Sequence, residues 1–275
     1  MSYLILILGM KLKIELKMKI KEYTDGQYTA QLPQTPYKDE IIEHVMLYGY
    51  DNLFKAASVK ELLDFNYPSK HKVLLIPCLI GQRSDRRFSA NESFDLKVIC
   101  NFIKSMNWDS VQIFDPHSDV SSALINNSVA LPPFSLILKI LNEKNYHAII
   151  TPDAGAYKKY SKWCEKENIS LIAANKYRDE SGVPIIQVGG NIEGKNLLIV
   201  DDLADGGRTF KFLARKLKEQ GASKVDLYVS HGMFHFGVDE LLEHIDKIYT
   251  TNSYSQQKQE LKNNKNVHIF ELWRN

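Results

Sequence analysis

The stretch of the chain with the most obvious chemistry is Val200-Asp-Asp-Leu-Ala-Asp-Gly-Gly-Arg-Thr209, in which three carboxylates precede two adjacent glycines. The apolar run 197–200 leads into it and the amphipathic segment 210–219 follows it, so we predict a buried strand, a short loop and a helix. Backbone N–H groups at the start of a helix are unpaired, and the helix dipole favours an anion there. Gly206 and Gly207 would let the main chain approach a phosphate closely.

The two adjacent carboxylates of this stretch would repel a phosphate unless they faced sugar hydroxyls or a cation. A ribose 5-phosphate meets both requirements, because the loop can bind its phosphate while the carboxylates bind its 2- and 3-hydroxyls or a hydrated Mg²⁺. We therefore predict a ribose-5-phosphate-binding loop made of Asp201, Asp202, Asp205, Gly206, Gly207, Arg208 and Thr209. The alternative is a strand, turn and helix whose acidic turn is merely solvated.

Polar clusters also follow other predicted strands, at the edge where ligands collect in open α/β sheets. They are Gly81-Gln-Arg-Ser-Asp-Arg-Arg87, Asp115-Pro-His-Ser-Asp119, Thr151-Pro-Asp-Ala-Gly155 and Asn175-Lys-Tyr-Arg-Asp-Glu-Ser-Gly182. The first is rich in arginine, whose guanidinium group matches phosphate oxygens. The last is a polar, glycine-ended loop that begins with Lys176 and Arg178, as expected of a mobile lid. Each cluster could instead be a solvated loop, and a lone histidine such as His117 is more often structural than catalytic.

Strand-like and helical patterns alternate along most of the chain. Helices are predicted at 39–65, 92–106, 135–142 and 210–219, and strands at 72–80, 110–114, 147–150, 169–174, 184–188, 197–200, 224–230, 245–249 and 267–270. The turn Tyr23-Thr-Asp-Gly-Gln27 predicts a hairpin. The alternating segment 11–20 predicts an amphipathic strand rather than a signal peptide. Pro132 and Pro133 cannot continue a strand or a helix, so we place a domain boundary between 1–132 and 133–275.

Composition limits the classes of function. The chain has 275 residues, enough for one large or two modest domains, and 35 Lys and Arg against 33 Asp and Glu give a net charge of +2. This balance predicts no nucleic-acid partner, and no apolar run is long enough to span a membrane. Cys78, Cys100 and Cys164 form no CxxC pair, so we expect neither a zinc site nor a disulfide framework, and a reducing compartment such as the cytoplasm.

Six of these motifs resemble, in the same order, those of ribose-phosphate diphosphokinases (PRPP synthetases), and the loop at 200–209 is also similar to that of type I phosphoribosyltransferases. His231-Gly-Met-Phe234 and Thr250-Thr-Asn-Ser253 resemble later motifs of the same family, so the resemblance covers roughly residues 23–253. It implies an α/β fold of two tandem phosphoribosyltransferase type I-like domains, each a mainly parallel sheet flanked by helices. Residues 1–132 would carry the ATP-binding motifs, and 133–275 the ribose-5-phosphate loop and the catalytic lid.

The resemblance also implies a role for each matching residue. ATP would bind Asp25, Gln27, Arg83, Asp85, Arg86 and His117, a metal ion, Mg²⁺, would bind His117 and Asp153, and the catalytic cations would be Lys176 and Arg178. Five positions depart from the family's pattern: Gln27 replaces Glu, Ser84 replaces Gln, Pro116 replaces Leu, Ala156 replaces Gly and Gly206 replaces Thr. We also expect that the strand and helix which usually precede the hairpin are trimmed or rebuilt.

The family's reaction transfers the β,γ-diphosphoryl group of ATP to the 1-hydroxyl of ribose 5-phosphate, giving PRPP, a precursor in nucleotide biosynthesis, and AMP. Because the hairpin contacts ATP across a subunit interface in that family, the resemblance implies a homo-oligomer, a dimer or a hexamer. An alternative keeps this chemistry but uses a substituted ribose 5-phosphate such as ADP-ribose, a molecule of NAD metabolism. Gly206 suggests it, because a glycine there removes a hydroxyl and would open the loop.

Two further alternatives are a phosphoribosyltransferase that consumes PRPP and a catalytically silent regulatory subunit. Arg208 and Thr209 resemble the Gly-Arg-Thr of pyrimidine-type transferases. The motifs around Arg83, His117 and Lys176 count against a transferase, because such an enzyme needs no ATP site. The retained Lys176, Arg178, His117 and Asp153 count against a silent subunit.

Overall fold

The computed structural model describes residues 19–32, 41–46, 51–178, 184–254 and 259–272. The chain divides into two compact units, Met1–Pro132 and Pro133–Asn275. Most of the segment 11–20, predicted as an amphipathic strand, lies outside the described residues. Within the described part of the chain, no helix has the length and apolar character needed to cross a bilayer.

The first unit contains an antiparallel hairpin, β1–β2, and a four-stranded parallel sheet in the order β3-β4-β5-β6. Its elements are β1 (Lys19–Glu22), β2 (Tyr28–Gln31), β3 (Ile41–Met46), α1 (Asp51–Asn66), β4 (His71–Ile76), α2 (Asp95–Ser105), β5 (Ser110–Phe114), α3 (Val120–Leu124) and β6 (Ser128–Leu131). Helix α2 shows why these segments assemble. Its buried residues recur at helical spacing and pack with the apolar strands β4 and β5 in one core.

The prediction of a single helix over 39–65 is wrong for its first part. Residues Ile41–Met46 form β3, which pairs in parallel with β4, and α1 begins only at Asp51. Three of the six residues of β3 are β-branched, a side-chain type that fits a strand once another strand is available for pairing. Because that partner lies beyond α1 in the sequence, the local apolar pattern did not reveal it.

The second unit contains one seven-stranded sheet in the order β13-β12-β11-β10-β7-β8-β9. Its elements are α4 (Phe134–Glu143), β7 (Ala148–Thr151), α5 (Ala154–Lys166), β8 (Leu171–Arg178), β9 (Pro184–Val188), β10 (Asn196–Ala204), α6 (Arg208–Glu219), β11 (Lys224–Gly232), α7 (Asp239–Leu242), β12 (Lys247–Thr251), α8 (Gln259–Asn263) and β13 (Val267–Phe270). All neighbouring strands are parallel except β8 and β9, which are antiparallel. The prediction of α/β architecture with parallel sheets is therefore confirmed.

Strand β10 lies in the middle of this sheet, and its residues 197–200 have no exposed surface. Helix α6 packs beside it through four buried residues at helical spacing, Phe210, Leu213, Ala214 and Leu217. The main chain of β10 bonds to β7 on one side and to β11 on the other. Because these strands are parallel, their carboxyl ends meet at one edge of the sheet, and the loops that follow them share that edge.

Two strands of the second unit are longer than predicted. Strand β10 continues to Ala204, so Asp201 and Asp202 belong to the strand end and not to the loop. Strand β8 continues through Lys176 and Arg178, whose backbones lie opposite Ile186 and Pro184 of β9. The two cations therefore lie in an antiparallel ribbon, where we had predicted the start of a loop. The polar residues of this segment concealed its backbone pairing from the sequence pattern, and residues 179–183 of the predicted lid lie outside the described residues.

Candidate functional site

The predicted loop and two other predicted motifs of the second unit meet at the carboxyl edge of its sheet. Ile199 of β10 lies opposite Ile150 of β7, and Asp201 lies opposite Val229 of β11. Asp153 follows β7 by two residues and caps α5. In the same register, Ala173 of β8 pairs with Thr151 of β7, so the β8–β9 ribbon leaves the sheet at the edge that carries the aspartates.

The aspartate pair at the end of β10 is held in an environment that disfavours its negative charge. Asp202 is 4% exposed, and the Lys159 Nζ of α5 lies 4.0 Å from its Oδ2. The backbone N–H of Asp202 donates to Asp201 Oδ1 over 2.9 Å. Burial raises the pKa of the Asp201 carboxyl well above its ordinary value, and the negative charges of Asp202 and Asp153 raise this pKa further. A bound cation would relieve this repulsion.

Asp153 has a structural role besides any binding role. Its Oδ1 accepts the backbone N–H of Ala156 over 2.9 Å and so caps the start of α5. A Cβ added to Gly155 would lie 3.2 Å from the same oxygen, which explains why a glycine suits the second position of this helix. One carboxylate oxygen of Asp153 is thus committed to the helix, and any ligand would bind chiefly through the other.

Mg²⁺ commonly keeps several waters and binds one or two carboxylates together with substrate phosphates. Asp201 and Asp202 fit that requirement, because they are adjacent, partly desolvated and mutually repulsive. In the described part of the chain, no group of three or more His, Cys, Asp or Glu side chains is placed to hold a metal ion alone. The two residues predicted as metal ligands, His117 and Asp153, lie in different units of the chain.

Asp205, Gly206 and Gly207 form the loop between β10 and α6, which we call the phosphate loop after its predicted role, and α6 begins directly after it at Arg208. Gly207 is the N-cap residue and has φ +77°, a left-handed conformation that favours glycine. The backbone N–H groups of the first helical residues, Arg208 and Thr209, have no acceptor within the helix. Helix geometry therefore places free donors and the positive end of the dipole beside the aspartates, as predicted.

A second segment covers this loop, and we call Met233–Gly237 the cover segment. The N–H groups of Met233 and Phe234 donate to Ala204 O over 2.9 and 3.2 Å, and that of His235 donates to Asp205 O over 3.0 Å. The His235 Nδ1 also contacts the Asp205 carboxylate. These bonds fasten the cover segment along the end of β10.

His235 and Phe236 were not among the predicted site residues, although they directly follow the motif His231-Gly-Met-Phe234. Their contact with the loop joins residues thirty positions apart, which no local pattern reveals. The available signal was a second phenylalanine, Phe236, two residues after the phenylalanine that ends the matched motif, Phe234.

His231 at the end of β11 is fully buried, and its Nδ1 lies 2.8 Å from Ser253 Oγ, which in turn donates to Ser230 O over 3.0 Å. Thr251 Oγ1 donates to the same carbonyl over 2.7 Å. These bonds tie the ends of β11 and β12 together beneath the cover segment. We assign His231 a supporting role, because its ring is enclosed by protein.

In the first unit, the predicted hairpin is present. Its turn has Gly26 at φ +83°, and the N–H of Gln27 donates to Asp25 Oδ1 over 3.0 Å. The Asp25 carboxylate thus shapes the turn in which it lies. In the loop after β4, Arg83 and Arg86 are exposed, and the Arg86 guanidinium lies 4.9 Å from the centre of the Phe88 ring.

Gln82, which the sequence analysis did not single out, joins the two motifs predicted to bind ATP. Its side chain is 3% exposed, its Oε1 accepts the N–H of His117 over 2.9 Å, and its Nε2 lies 3.7 Å from Cys78 Sγ. Asp115, which follows the last residue of β5 and precedes the loop that carries His117, has φ +42°, a conformation that is uncommon outside glycine. The side chain of Gln82 therefore joins the loop after β4 to the loop after β5. Its position between Gly81 and Arg83 in the sequence gave no reason to expect this contact.

The fold is that of phosphoribosyltransferase-like proteins: tandem α/β units, each with parallel strands flanked by helices. A crystal structure of phosphoribosylpyrophosphate synthetase from Mycobacterium smegmatis matches 97% of this chain and 88% of its own, with a TM-score of 0.76 and 17% identity. That match shows the fold.

Comparison of the sequence with known proteins gives a more specific similarity than the fold does. A ribose-phosphate pyrophosphokinase of Thermosipho africanus is 26% identical over 88% of this chain and 75% of its own length. One of Sulfurisphaera tokodaii is 26% identical over 88% of this chain and 86% of its own. The sequence-family model of the phosphoribosyl synthetase-associated domain matches residues 163–272 of this chain. The resemblance to ribose-phosphate diphosphokinases predicted from the motifs is confirmed, and with it the prediction of a diphosphokinase-like enzyme.

Proposed function

We propose that this chain transfers the diphosphoryl group of ATP to the 1-hydroxyl of a ribose 5-phosphate, giving PRPP and AMP. The observation that carries the proposal is the Asp201–Asp202 pair on the same strand end as the glycine loop and the start of α6. This arrangement suits a ribose 5-phosphate, since the helix start binds its phosphate and the carboxylates bind its hydroxyls. Relatives named ribose-phosphate pyrophosphokinase support PRPP synthesis in general.

In the proposed reaction, the 1-oxygen of the ribose attacks the β-phosphorus of ATP. The bond between that phosphorus and the oxygen bridging to the α-phosphorus breaks, AMP leaves with the bridging oxygen, and the hydroxyl proton is released. The protein supplies positioning and charge neutralisation rather than covalent chemistry. Arg83, Asp85, Arg86, His117 and the hairpin residues Asp25 and Gln27 would hold ATP, and Lys176 and Arg178 would neutralise the transferred group.

Mg²⁺, when bound, neutralises charge on the phosphate oxygens and orients them for in-line attack. Asp201 and Asp202 would help to hold it, with Asp153 and His117 as the further predicted ligands. The raised pKa of Asp201 supports this assignment, because a carboxylate that is costly to ionise alone gains most from a neighbouring cation.

The experiment that tests the proposal is an assay of AMP and PRPP by chromatography after incubation with Mg–ATP and ribose 5-phosphate. We expect both products with the wild type, and a turnover lower by about a hundredfold or more for Asp201→Asn. Glu219→Gln is the matched control, because Glu219 is exposed at the far end of α6. If neither this acceptor nor any substituted ribose 5-phosphate yields AMP, the proposed function is wrong.

We also propose that the chain works in the cytoplasm as a homo-oligomer, a dimer or a hexamer. Cys78, Cys100 and Cys164 are free and buried, and burial raises the pKa of the Cys100 and Cys164 thiols to about 11. Such thiols resist oxidation, and this supports a protein that does not depend on disulfides. Light scattering coupled to size-exclusion chromatography tests the oligomer, and a purely monomeric active enzyme would contradict it.

A further inference from the structure

Phe236 stands beside the phosphate loop with 76% of its side chain exposed. A Cβ built on Gly206 would lie 2.7 Å from Cε2 and 2.8 Å from Cδ2 of this ring. The ring therefore occupies the space that a side chain at position 206 would need. The expectation that Gly206 opens the loop is not met, because the glycine makes room for an aromatic ring.

The main chain that carries this ring is fixed by hydrogen bonds on both sides of it. The N–H groups of Phe234 and His235 are bonded to the end of β10, and the N–H of Gly237, at φ +81°, donates to Phe234 O over 2.8 Å. On the loop side, the Arg208 guanidinium carbon lies 5.8 Å from the ring centre, within the range of a cation–π contact. A fastened backbone segment thus carries an exposed aromatic ring beside the site that would bind the 5-phosphate.

The chemistry of the ring does not suit a bare phosphate. The face of a phenyl ring is negative, and Phe236 has no hydrogen-bond donor to offer phosphate oxygens. A plain ribose 5-phosphate would leave the ring in water. A nucleobase or another aromatic group attached beyond the phosphate could stack on the ring, and Arg208 could pair with the additional phosphate charge.

We infer that Phe236 is a specificity-determining residue that stacks on an aromatic group carried beyond the 5-phosphate, so that the acceptor is a nucleotide-linked ribose 5-phosphate. This inference rests on the proposed function, because it concerns the acceptor of the same transfer. Atoms balance as before: the free 1-hydroxyl of the terminal ribose attacks the β-phosphorus of ATP, AMP leaves, and the proton is released. The group beyond the 5-phosphate takes no part in the bond changes.

The test compares ribose 5-phosphate with ADP-ribose as acceptors, using ATP labelled in its γ-phosphate so that only label transferred to the acceptor is counted. Wild-type protein is expected to prefer ADP-ribose in kcat/KM. Phe236→Ser should lower the ratio of the two kcat/KM values, ADP-ribose over ribose 5-phosphate, by about tenfold to a hundredfold. Phe236→Tyr should leave the ratio of the two kcat/KM values near that of the wild type, since it keeps the ring.

Two further variants sharpen the test. Gly206→Thr should also lower the ratio, because its Cβ would displace the ring. Phe212→Ser is the matched control, since Phe212 is 45% exposed in the second turn of α6 and also has an arginine, Arg215, 5.5 Å from its ring centre. The control should leave the ratio unchanged.

The outcomes separate the inference from the proposed function. Transfer to ribose 5-phosphate alone, or a ratio that Phe236→Ser does not move, would overturn the inference and leave the proposed function standing. Transfer to neither acceptor by folded protein would overturn both. Because Phe236 is mostly exposed, a thermal denaturation curve should show Phe236→Ser folded. If it is not folded, Gly206→Thr alone decides the question.

Discussion

Two adjacent glycines of the phosphate loop, Gly206 and Gly207, should respond very differently to the same change, Gly→Ala. The built Cβ at 206 makes the shorter contact, 2.7 Å to the Phe236 ring, against 2.9 Å to Leu241 Cδ1 for the Cβ at 207. Distance alone therefore predicts that Gly206→Ala is the more damaging substitution. Backbone conformation and burial predict the opposite order.

Gly207→Ala forces a side chain into a left-handed backbone at φ +77°, which costs about 1–2 kcal/mol for an L-residue. Its Cβ meets Leu241, which is 3% exposed and has little room to move, and crowding a packed site adds about 1–3 kcal/mol. The reduced entropy of the unfolded chain offsets roughly 0.4–1 kcal/mol of this sum. We expect a net loss of about 2–4 kcal/mol.

Gly206→Ala carries no left-handed strain, and the ring that it meets is largely exposed and can turn into solvent. With the same unfolded-state offset, its net effect on stability should be within about 0.5 kcal/mol of zero. Gly189→Ala is the matched control, because a Cβ there meets nothing within 4 Å and its φ is not left-handed.

Differential scanning calorimetry of the full chain measures these effects. At roughly 2–4 °C per kcal/mol for a domain of this size, Gly207→Ala should lower Tm by about 4–16 °C and Gly206→Ala by no more than about 2 °C. Equal losses, or a larger loss for Gly206→Ala, would refute the reasoning that strain and burial outweigh contact distance here.

Three further predictions concern the charged groups and the supports of the site. Because the pKa of Asp201 is raised in the folded state, the folded protein loses stability as pH rises from the ordinary carboxyl pKa towards the raised one. Asp201→Asn should therefore have a higher Tm than the wild type at pH 7, and the difference in Tm should vanish near pH 4. A variant with a lower Tm than the wild type at pH 7 would contradict this. Gln82→Leu releases the loop that carries His117, so KM for ATP should rise by about tenfold with little change in kcat; an unchanged KM would show that this bond does not position the ATP loops. Lys176→Ala should lower kcat by about a hundredfold or more while substrate binding, followed by calorimetry, stays nearly unchanged; equal losses in both would remove Lys176 from the catalytic role.

Much of the second unit could be predicted because its signals are local. The apolar run 197–200 predicts a buried strand. The two glycines after the aspartates predict a tight turn into the helix that begins at Arg208. Since the strands on either side run parallel, local predictions of strand ends were enough to place several motifs on one edge. This is why the aspartates and the helix start were found without knowledge of any contact.

The features that escaped prediction depend on residues far apart in the chain. Strand β3 was taken for part of a helix because its partner β4 lies beyond α1. Gln82 looks like an exposed polar residue until His117 is placed against it. Phe236 gains a role only when its ring is set beside Gly206. In each case the structural role of the residue depends on a contact with a residue far away in the chain, which the local sequence pattern does not show.

The bonds that fasten the cover segment to the end of β10 join main-chain atoms: the carbonyls of Ala204 and Asp205 accept N–H groups of Met233, Phe234 and His235. Such bonds do not depend on side-chain chemistry, provided that no proline removes a donor N–H. Evolution can therefore exchange the residues at positions 235 and 236 while the segment stays attached and the aspartates stay in place. Under the proposed role of Phe236, acceptor preference would be a trait that one or two codon changes can alter, on a scaffold that does not have to be rebuilt each time.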